Sequence, residues 1–407
     1  MLRPSRARPT AVLILATLAT ALTVGCEHDS TGGDGDPRNG AAWPTTNQRA
    51  PERPFRHVLI VSVDGLRPDA IEPPLLAELP SFARLRRGAH TLNARTDADI
   101  TVTLPNHVGM LTGHAFDGPD GHGWKINDDP PGRAQGGTLH ANKGSYVASA
   151  FDVAHDAGLS TAIIAGKTKF WLFEQSYGPA SGAADPVPPD FGKAKIDLFV
   201  CTDETAEIAR STADRLRAAA RRRVGTLDLV HFAAPDAAGH AYDWIVAPDS
   251  RYFAALQEVD AALGEILAAV DSTPGLADRT AIVLTADHGG GSPAKTHTDV
   301  MSALNFRIPF LTWAGRDMEP RDLYELNPAR IQPAAARVAR DDAAQPIRNA
   351  DAGNLALALL GLPSIPGSQY GASGPLRIEP TVTSTPASPD KSTNASSETP
   401  GSAAKHR

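Results

Sequence analysis

Residues Ala281 to Asp299 read AIVLTADHGGGSPAKTHTD, and this stretch restricts the fold of the 407-residue chain more than any other. Ala281 to Thr285 form a short apolar run with β-branched side chains, the pattern of a strand covered on both faces. Polar residues begin where the run stops: Asp287 and His288 precede three glycines, and His297 follows on the same loop. In open α/β sheets ligands bind at the carboxyl ends of parallel strands, so the pattern predicts a mostly parallel sheet with a site on this loop. Gly289, Gly290 and Gly291 are expected to turn the backbone sharply beside a bound group. One carboxylate and two imidazoles form a ligand set suited to zinc or another first-row ion. A capped turn with two solvated histidines has the same sequence signature, so the other segments must decide.

A second apolar run, His57 to Val63 (HVLIVSV), ends at Asp64, so Asp64 stands at one strand end as Asp287 stands at another. Taken alone, Asp64 reads equally well as the cap of a turn. Asp228 to Ala234 (DLVHFAA) is a third strand, and it delivers Asp236 and His240. Their spacing of four places both on one face of a helical turn, within reach of one ion, although a helix-capping Asp beside a solvated His is the other reading. Ser160 to Ala165 (STAIIA) is a fourth strand, followed by Lys167 and Lys169, which either contact an anionic substrate or are solvated charges.

Thr101 to Gly113 (TVTLPNHVGMLTG) carries a proline near the start of an apolar periodic segment, which predicts a helix opening near Thr103. Unpaired backbone N–H groups and the helix dipole favour an anionic oxygen or a phosphate there. A threonine hydroxyl is a weak nucleophile that metal coordination activates, as it activates water. A plain N-cap is the alternative role for Thr103. Scaffold elements are expected as helices over Pro80 to Arg87, Thr205 to Arg223, Ser250 to Val270 and Asn349 to Leu360, with a final strand over Arg307 to Trp313. The basic run Arg221 to Arg223 belongs to a surface helix and needs no ligand.

Both ends of the chain differ from its middle. Arg3, Arg6 and Arg8 precede the apolar run Ala11 to Leu22, which is too short to span a bilayer and reads as an export signal. It closes on Leu22-Thr23-Val24-Gly25-Cys26, which resembles the bacterial lipobox, with the leucine one position earlier than that pattern places it. The resemblance implies removal of residues 1–25, lipidation of Cys26 and anchoring in a membrane, with ordinary secretion as the alternative. A lipidated Cys26 leaves Cys201 without a partner, so no internal disulfide is expected. Residues 26–53 read as a flexible linker, 54–380 as the folded domain and 381–407 as a disordered tail. The net charge of -7 argues against a nucleic-acid scaffold as partner, while a locally positive metal site still accommodates a phosphate.

The segments VSVDGLRPD, TVTLPNH, PDAAGH and TADHG, in this order, resemble those of the alkaline phosphatase superfamily. The nearest branch is that of the nucleotide pyrophosphatases/phosphodiesterases and phosphonoacetate hydrolases, in which a Thr nucleophile precedes an apolar or aromatic residue and Pro-Asn-His, matching Thr103 to His107. Sulfatases of the superfamily carry a Cys or Ser followed by x-Pro-x-Arg, which this chain lacks. His122-Gly123-Trp124-Lys125-Ile126-Asn127 is similar to the family's His-Gly-x-x-x-Asn, whose Asn donates to a phosphoryl oxygen, so the resemblance gives that role to Asn127. The Lys167 and Lys169 pair resembles the carboxylate-binding pair of phosphonoacetate hydrolases. His297 lies closer to the Asp287-His288 pair than the last ligand does in the nucleotide pyrophosphatase branch, a spacing also seen in cofactor-independent phosphoglycerate mutases.

The resemblance implies a three-layer α/β/α sandwich around a mostly parallel sheet, with cap insertions. It assigns one metal to Asp236, His240 and His297, and a second to Asp64, Thr103, Asp287 and His288. Two ions about 4 Å apart clamp the attacking and leaving oxygens of an in-line displacement, with Thr103 attacking phosphorus to give a covalent phospho-threonine. Zinc is the expected metal, with manganese or iron as substitutes. The expected activity is that of a phosphodiesterase or nucleotide pyrophosphatase, because no Arg at the nucleophile motif offers a bidentate grip on a doubly charged monoester. A phosphonate hydrolase or phosphomonoesterase on the same fold is the alternative, and a catalytically inactive surface lipoprotein that serves as a binding module is the non-enzyme reading.

Overall fold

Strand β1, His57–Val63, is buried along its whole length, as its near-continuous apolar sequence requires of a strand covered on both faces. The computed structural model describes residues 54–132, 135–179, 194–315 and 319–379. The leader, Cys26, the 26–53 linker up to residue 53 and the 381–407 tail lie outside the described residues. Seven further strands follow: β2 Ala89–Arg95, β3 Ser160–Ala165, β4 Leu198–Cys201, β5 Thr226–Phe232, β6 Thr280–Thr285, β7 Arg307–Trp313 and β8 Arg321–Asp322. They form one eight-stranded sheet in the order β4-β3-β5-β1-β6-β7-β2-β8.

The block from β4 to β6 is parallel, and β7 alone runs against its neighbours β6 and β2. Helices cover both faces, giving the three-layer α/β/α sandwich that the sequence implies. Thr205–Arg222, Ala234–Tyr242, Arg251–Ser272 and Pro80–Leu85 pack on one another as one group. Thr103–Thr112, Ala150–Asp156 and Ala352–Leu359 form the other group. The 22-residue helix Arg251–Ser272 shows why it sits where it does: Tyr252, Leu256, Val259, Leu263, Ile266 and Val270 recur three or four apart and are all buried. By contrast, every residue of Thr103–Thr112 is buried, so this helix runs through the interior with no solvent-exposed face.

Two expectations need correction. The third strand runs over Thr226–Phe232, two residues earlier than Asp228 to Ala234. Asp228, expected at its start, is fully buried within it and is held by Arg215 Nε at 2.9 Å, a partner on the helix Thr205–Arg222. The three glycines after Asp287 do not form one sharp turn, since only Gly291 has a left-handed φ, of 108°. Gly289 and Gly290 instead permit close approach: a Cβ on Gly289 would lie 2.1 Å from Leu304 O, and one on Gly290 2.1 Å from the Trp244 ring.

Candidate active site

β1 and β6 pair in parallel with Ser62 opposite Thr285, so the chain leaving each strand delivers Asp64 and Asp287 to the same sheet edge. Asp64, Asp287 and His288 are fully buried, and their potential ligand atoms lie within 4.8 Å of one another. A second group obeys the same limit. Asp236 and His240, one turn apart on the helix Ala234–Tyr242, meet His297 from the loop after β6. The residues of the two metal sites implied by the sequence are thus gathered in two adjoining sets. The rings of His288 and His297, one from each set, stack with centroids 3.6 Å apart.

The hydrogen bonds of the three histidines fix which nitrogen faces the carboxylates. Nδ1 of His288 lies 2.8 Å from Gly289 O, that of His297 2.7 Å from Thr101 O, and that of His240 2.9 Å from Lys295 O. A carbonyl only accepts, so each Nδ1 carries the hydrogen and each neutral ring presents an Nε2 lone pair. Those lone pairs point at carboxylate oxygens. His288 Nε2 is 3.5 Å from Asp64 Oδ1 and 3.2 Å from Asp287 Oδ2, while His240 and His297 Nε2 are 3.5 and 3.8 Å from Asp236 Oδ1.

The same three oxygens, Asp64 Oδ1, Asp236 Oδ1 and Asp287 Oδ2, are buried with no hydrogen-bond partner among the described residues. Acceptors facing acceptors in a buried space repel one another unless a positive charge lies between them. Metal-ligating histidines ordinarily donate their second N–H to a carbonyl or carboxylate, as these three do. The residues therefore fit two cations with mixed nitrogen and oxygen ligands. The oxygen and imidazole donor chemistry is that of zinc, manganese or iron sites.

The two carboxyls of the buried set shift in opposite directions. Burial works to raise the Asp64 carboxyl, but Lys167, the His231 hydrogen bond and His288 outweigh it and hold it well below the usual carboxylate range. Burial, and then the neighbouring charge of Asp64, push Asp287 well above that range. His288 is lowered to about 4 and His297 to about 3, in each case chiefly by burial, so both rings keep the neutral, ligand-competent form at neutral pH.

Thr103 is the first residue of its helix, and Val102, the N-cap, makes no side-chain capping bond. The plain N-cap role for Thr103 is thereby excluded. Its Oγ1 instead lies 3.4 Å from His288 Nε2, at the mouth of the buried set. Asn127 Oδ1 accepts the Leu104 backbone N–H at 2.8 Å, which satisfies one of the unpaired donors at this helix end. Because that donor fixes Oδ1 as the acceptor, the Asn127 amide N–H groups are turned away from the helix backbone.

Lys167 pairs with one carboxylate of each set. Its Nζ lies 2.7 Å from Asp64 Oδ2 and 2.6 Å from Asp236 Oδ2, so one ammonium joins the two sets through the oxygens turned away from His240, His288 and His297. Lys169 has no such ion pair among the described residues; burial, and then the Lys167 ammonium, lower its pKa. Cys26 lies outside the described residues, and Cys201 is a free thiol.

Three features of the site are absent from the sequence reading. Trp244 is nearly fully buried and packs against two glycines: a Cβ would lie 2.3 Å from its ring at Gly239 and 2.1 Å at Gly290. Its Nε1 donates to Gly65 O at 3.0 Å, so one indole touches the three segments that bear Asp64, Asp236 and Asp287. His107 Nδ1 lies 2.7 Å from Thr103 O, and its Nε2 lies 2.8 Å from Ser62 Oγ, which ties the start of the helix to β1. His231, on β5, meets Asp64 from behind with Nε2 2.9 Å from Oδ2. The run DLVHFAA signals the strand that carries His231, but only the register of β5 against β1 signals the contact.

The sequence profile of the type I phosphodiesterase / nucleotide pyrophosphatase family matches residues 58–352. Among solved structures, the lipoteichoic acid synthase LtaP from Listeria monocytogenes aligns with a TM-score of 0.50 at 14% identity, over 77% of this chain and 74% of its own. A protein in the alkaline phosphatase superfamily from Vibrio parahaemolyticus aligns with a TM-score of 0.48 at 15% identity, over 79% of this chain and 71% of its own. At such identities the likeness concerns the fold. No curated protein matches.

Proposed function

Because this chain belongs to the type I phosphodiesterase / nucleotide pyrophosphatase family, we propose that it is a phosphodiester hydrolase with a two-cation centre and Thr103 as its nucleophile. The observation that carries this reading is the set of three partnerless carboxylate oxygens, each facing an imidazole Nε2, beside the Thr103 hydroxyl. Asp64, Asp287 and His288, with Thr103, would hold one cation, and Asp236, His240 and His297 the other; zinc suits both. Cations there supply positive charge to a phosphoryl group and lower the pKa of a hydroxyl or water.

The chain's own residues do the rest. Thr103 presents its hydroxyl in line with a phosphorus held at the helix N-terminus, where the helix dipole favours the phosphoryl oxygens. The Asn127 amide donates to a phosphoryl oxygen as charge builds on it in the transition state. Attack by the Thr103 oxygen breaks the bond to the leaving alcohol and leaves a phospho-threonine, which water then hydrolyses. Lys169 adds positive charge at the rim. The paired-lysine grip of a phosphonoacetate hydrolase is weakened by the engagement of Lys167 with Asp64 and Asp236, so the diester reading is preferred over that alternative. For the amino-terminal region we propose export and lipidation at Cys26, with residues 26–53 tethering the domain to a membrane; Cys26→Ser should release the protein from the membrane fraction.

Hydrolysis of bis-p-nitrophenyl phosphate and of p-nitrophenyl phosphate by chelated protein, before and after zinc re-addition, tests the activity. A preference for the diester that returns with zinc is expected. Metal-independent turnover, or monoester preference, would overturn the assignment.

A further inference from the structure

Asp64 has two carboxylate oxygens in different surroundings. Oδ1 faces His288 Nε2 and has no hydrogen-bond partner among the described residues, whereas Oδ2 contacts both His231 Nε2 at 2.9 Å and the Lys167 ammonium at 2.7 Å. On the opposite side of that ring, the Gly166 backbone N–H donates to His231 Nδ1 at 3.1 Å. A backbone N–H only donates, so Nδ1 carries the lone pair and Nε2 carries the hydrogen that goes to Asp64. His231 therefore has the tautomer opposite to that of His240, His288 and His297. It acts as a donor to a carboxylate, where those three present a lone pair.

The surroundings fix the ring. β3 and β5 pair in parallel with Ala165 opposite His231, so Gly166 is the next residue along β3 and its N–H reaches the imidazole. A Cβ at Gly166 would lie 2.8 Å from Ala233 Cβ and 3.1 Å from Ala233 N, so a side chain there would push the two strand ends apart and withdraw the N–H. The Phe170 ring, 4.4 Å from the His231 ring, and the His107 ring, 5.0 Å from it, restrict its rotation. His231 is fully buried.

We propose that His231 is a positioning residue for Asp64: the Gly166 N–H sets its tautomer, and its Nε2–H, acting beside the Lys167 ammonium on the same oxygen, orients Oδ2 so that Oδ1 is presented with Asp287 and His288. The consequence is a one-oxygen ligand pre-aimed at the buried cation position, and the affinity of that set depends on a residue that touches no substrate. This rests on the two-cation reading above. Outer residues of this kind typically change metal affinity by about 10–100-fold.

The test uses the His240→Ala protein, in which the buried set alone is complete, with zinc affinity read by chelator competition. Adding His231→Phe should weaken zinc binding by about 10–100-fold, and His231→Gln, whose amide restores a donor to Oδ2, should recover most of that loss. A merely structural role would show no such recovery. Unchanged affinity in the Phe variant, or equal loss in the Phe and Gln variants, would overturn the proposal. Nitrogen-15 spectra of the wild-type imidazoles give a readout that needs no substitution: Nδ1 of His231 should be unprotonated and Nε2 protonated, and the reverse tautomer would overturn it. Failure of the wild-type chain to bind zinc would instead remove the two-cation reading and, with it, this one.

Discussion

The two ligand sets follow one rule on different foundations. In the buried set all three side chains are fully shielded, and His288 takes its orienting carbonyl from the adjacent residue, Gly289. In the outer set His240 is 46% exposed and takes its carbonyl from Lys295, while His297 takes its own from Thr101. The first set is therefore formed once β1 and β6 pair. The second is complete only after a helix, the loop after β6 and the segment before Thr103 have docked together. The difference separates a cation position built into the sheet core from one that depends on tertiary contacts near solvent, and Thr103 stands beside the first.

That contrast is open to direct attack. The largest expected effect is that of Thr103→Ala, which should lower diester turnover by at least about a thousandfold, the scale expected when a nucleophile is removed. Its zinc content should be close to that of the wild type, measured by elemental analysis, since the buried carboxylates and imidazole remain. Substantial turnover in this variant would move the nucleophile elsewhere.

Next in size, the two sets should respond unequally. Asp287→Asn should lose the buried cation and the activity together, and added zinc should not restore them. His240→Ala should lose only about 10–100-fold in metal affinity, with activity returning at high zinc. Zinc release to a chelator should accordingly show a fast and a slow phase, with the fast phase missing in His240→Ala. A single phase, or rescue of Asp287→Asn by zinc, would abolish the distinction.

The smallest effect on chemistry, though not on folding, is expected from Trp244→Ala. Removing an indole packed against Gly239 and Gly290 should cost about 3–5 kcal/mol of stability, read as a lower denaturant midpoint. Zinc retention should fall mainly in the outer set, because the Trp244 ring lies 5.2 Å from that of His240 and 6.0 Å from that of His297. Equal loss from both sets would show that the indole supports them alike.

Much of this was legible in the sequence for a simple reason. β1, β3 and β7 have the boundaries expected of them because each is a nearly unbroken apolar run that must be covered on both faces. The candidate ligand residues were legible as polar groups because they follow such runs or, as with Asp236 and His240, share a helical spacing. β2 was not expected, because its sequence AHTLNAR mixes polar and apolar residues. Its Arg95 is buried only by giving its guanidinium N–H groups to carbonyls such as those of Ala334 and Ala336, a tertiary arrangement with no local signature. β4 and β8 are too short, at 4 and 2 residues, to show a pattern. The engagement of Lys167, the packing of Trp244 and the contact of His231 with Asp64 all join segments far apart in the chain, so neither spacing nor periodicity announces them. The branch-atypical position of His297 did not prevent it from reaching Asp236.

The central claim is that Thr103 receives the phosphoryl group beside the buried cation position. Rapid quenching of zinc-loaded protein turning over bis-p-nitrophenyl phosphate, followed by mass-spectrometric mapping, measures this most directly. A zinc-dependent phosphoryl adduct is expected on the peptide that contains Thr103, localised to that side chain and absent from Thr103→Ala. Full turnover with no adduct on that peptide, together with undiminished activity of Thr103→Ala, would contradict it.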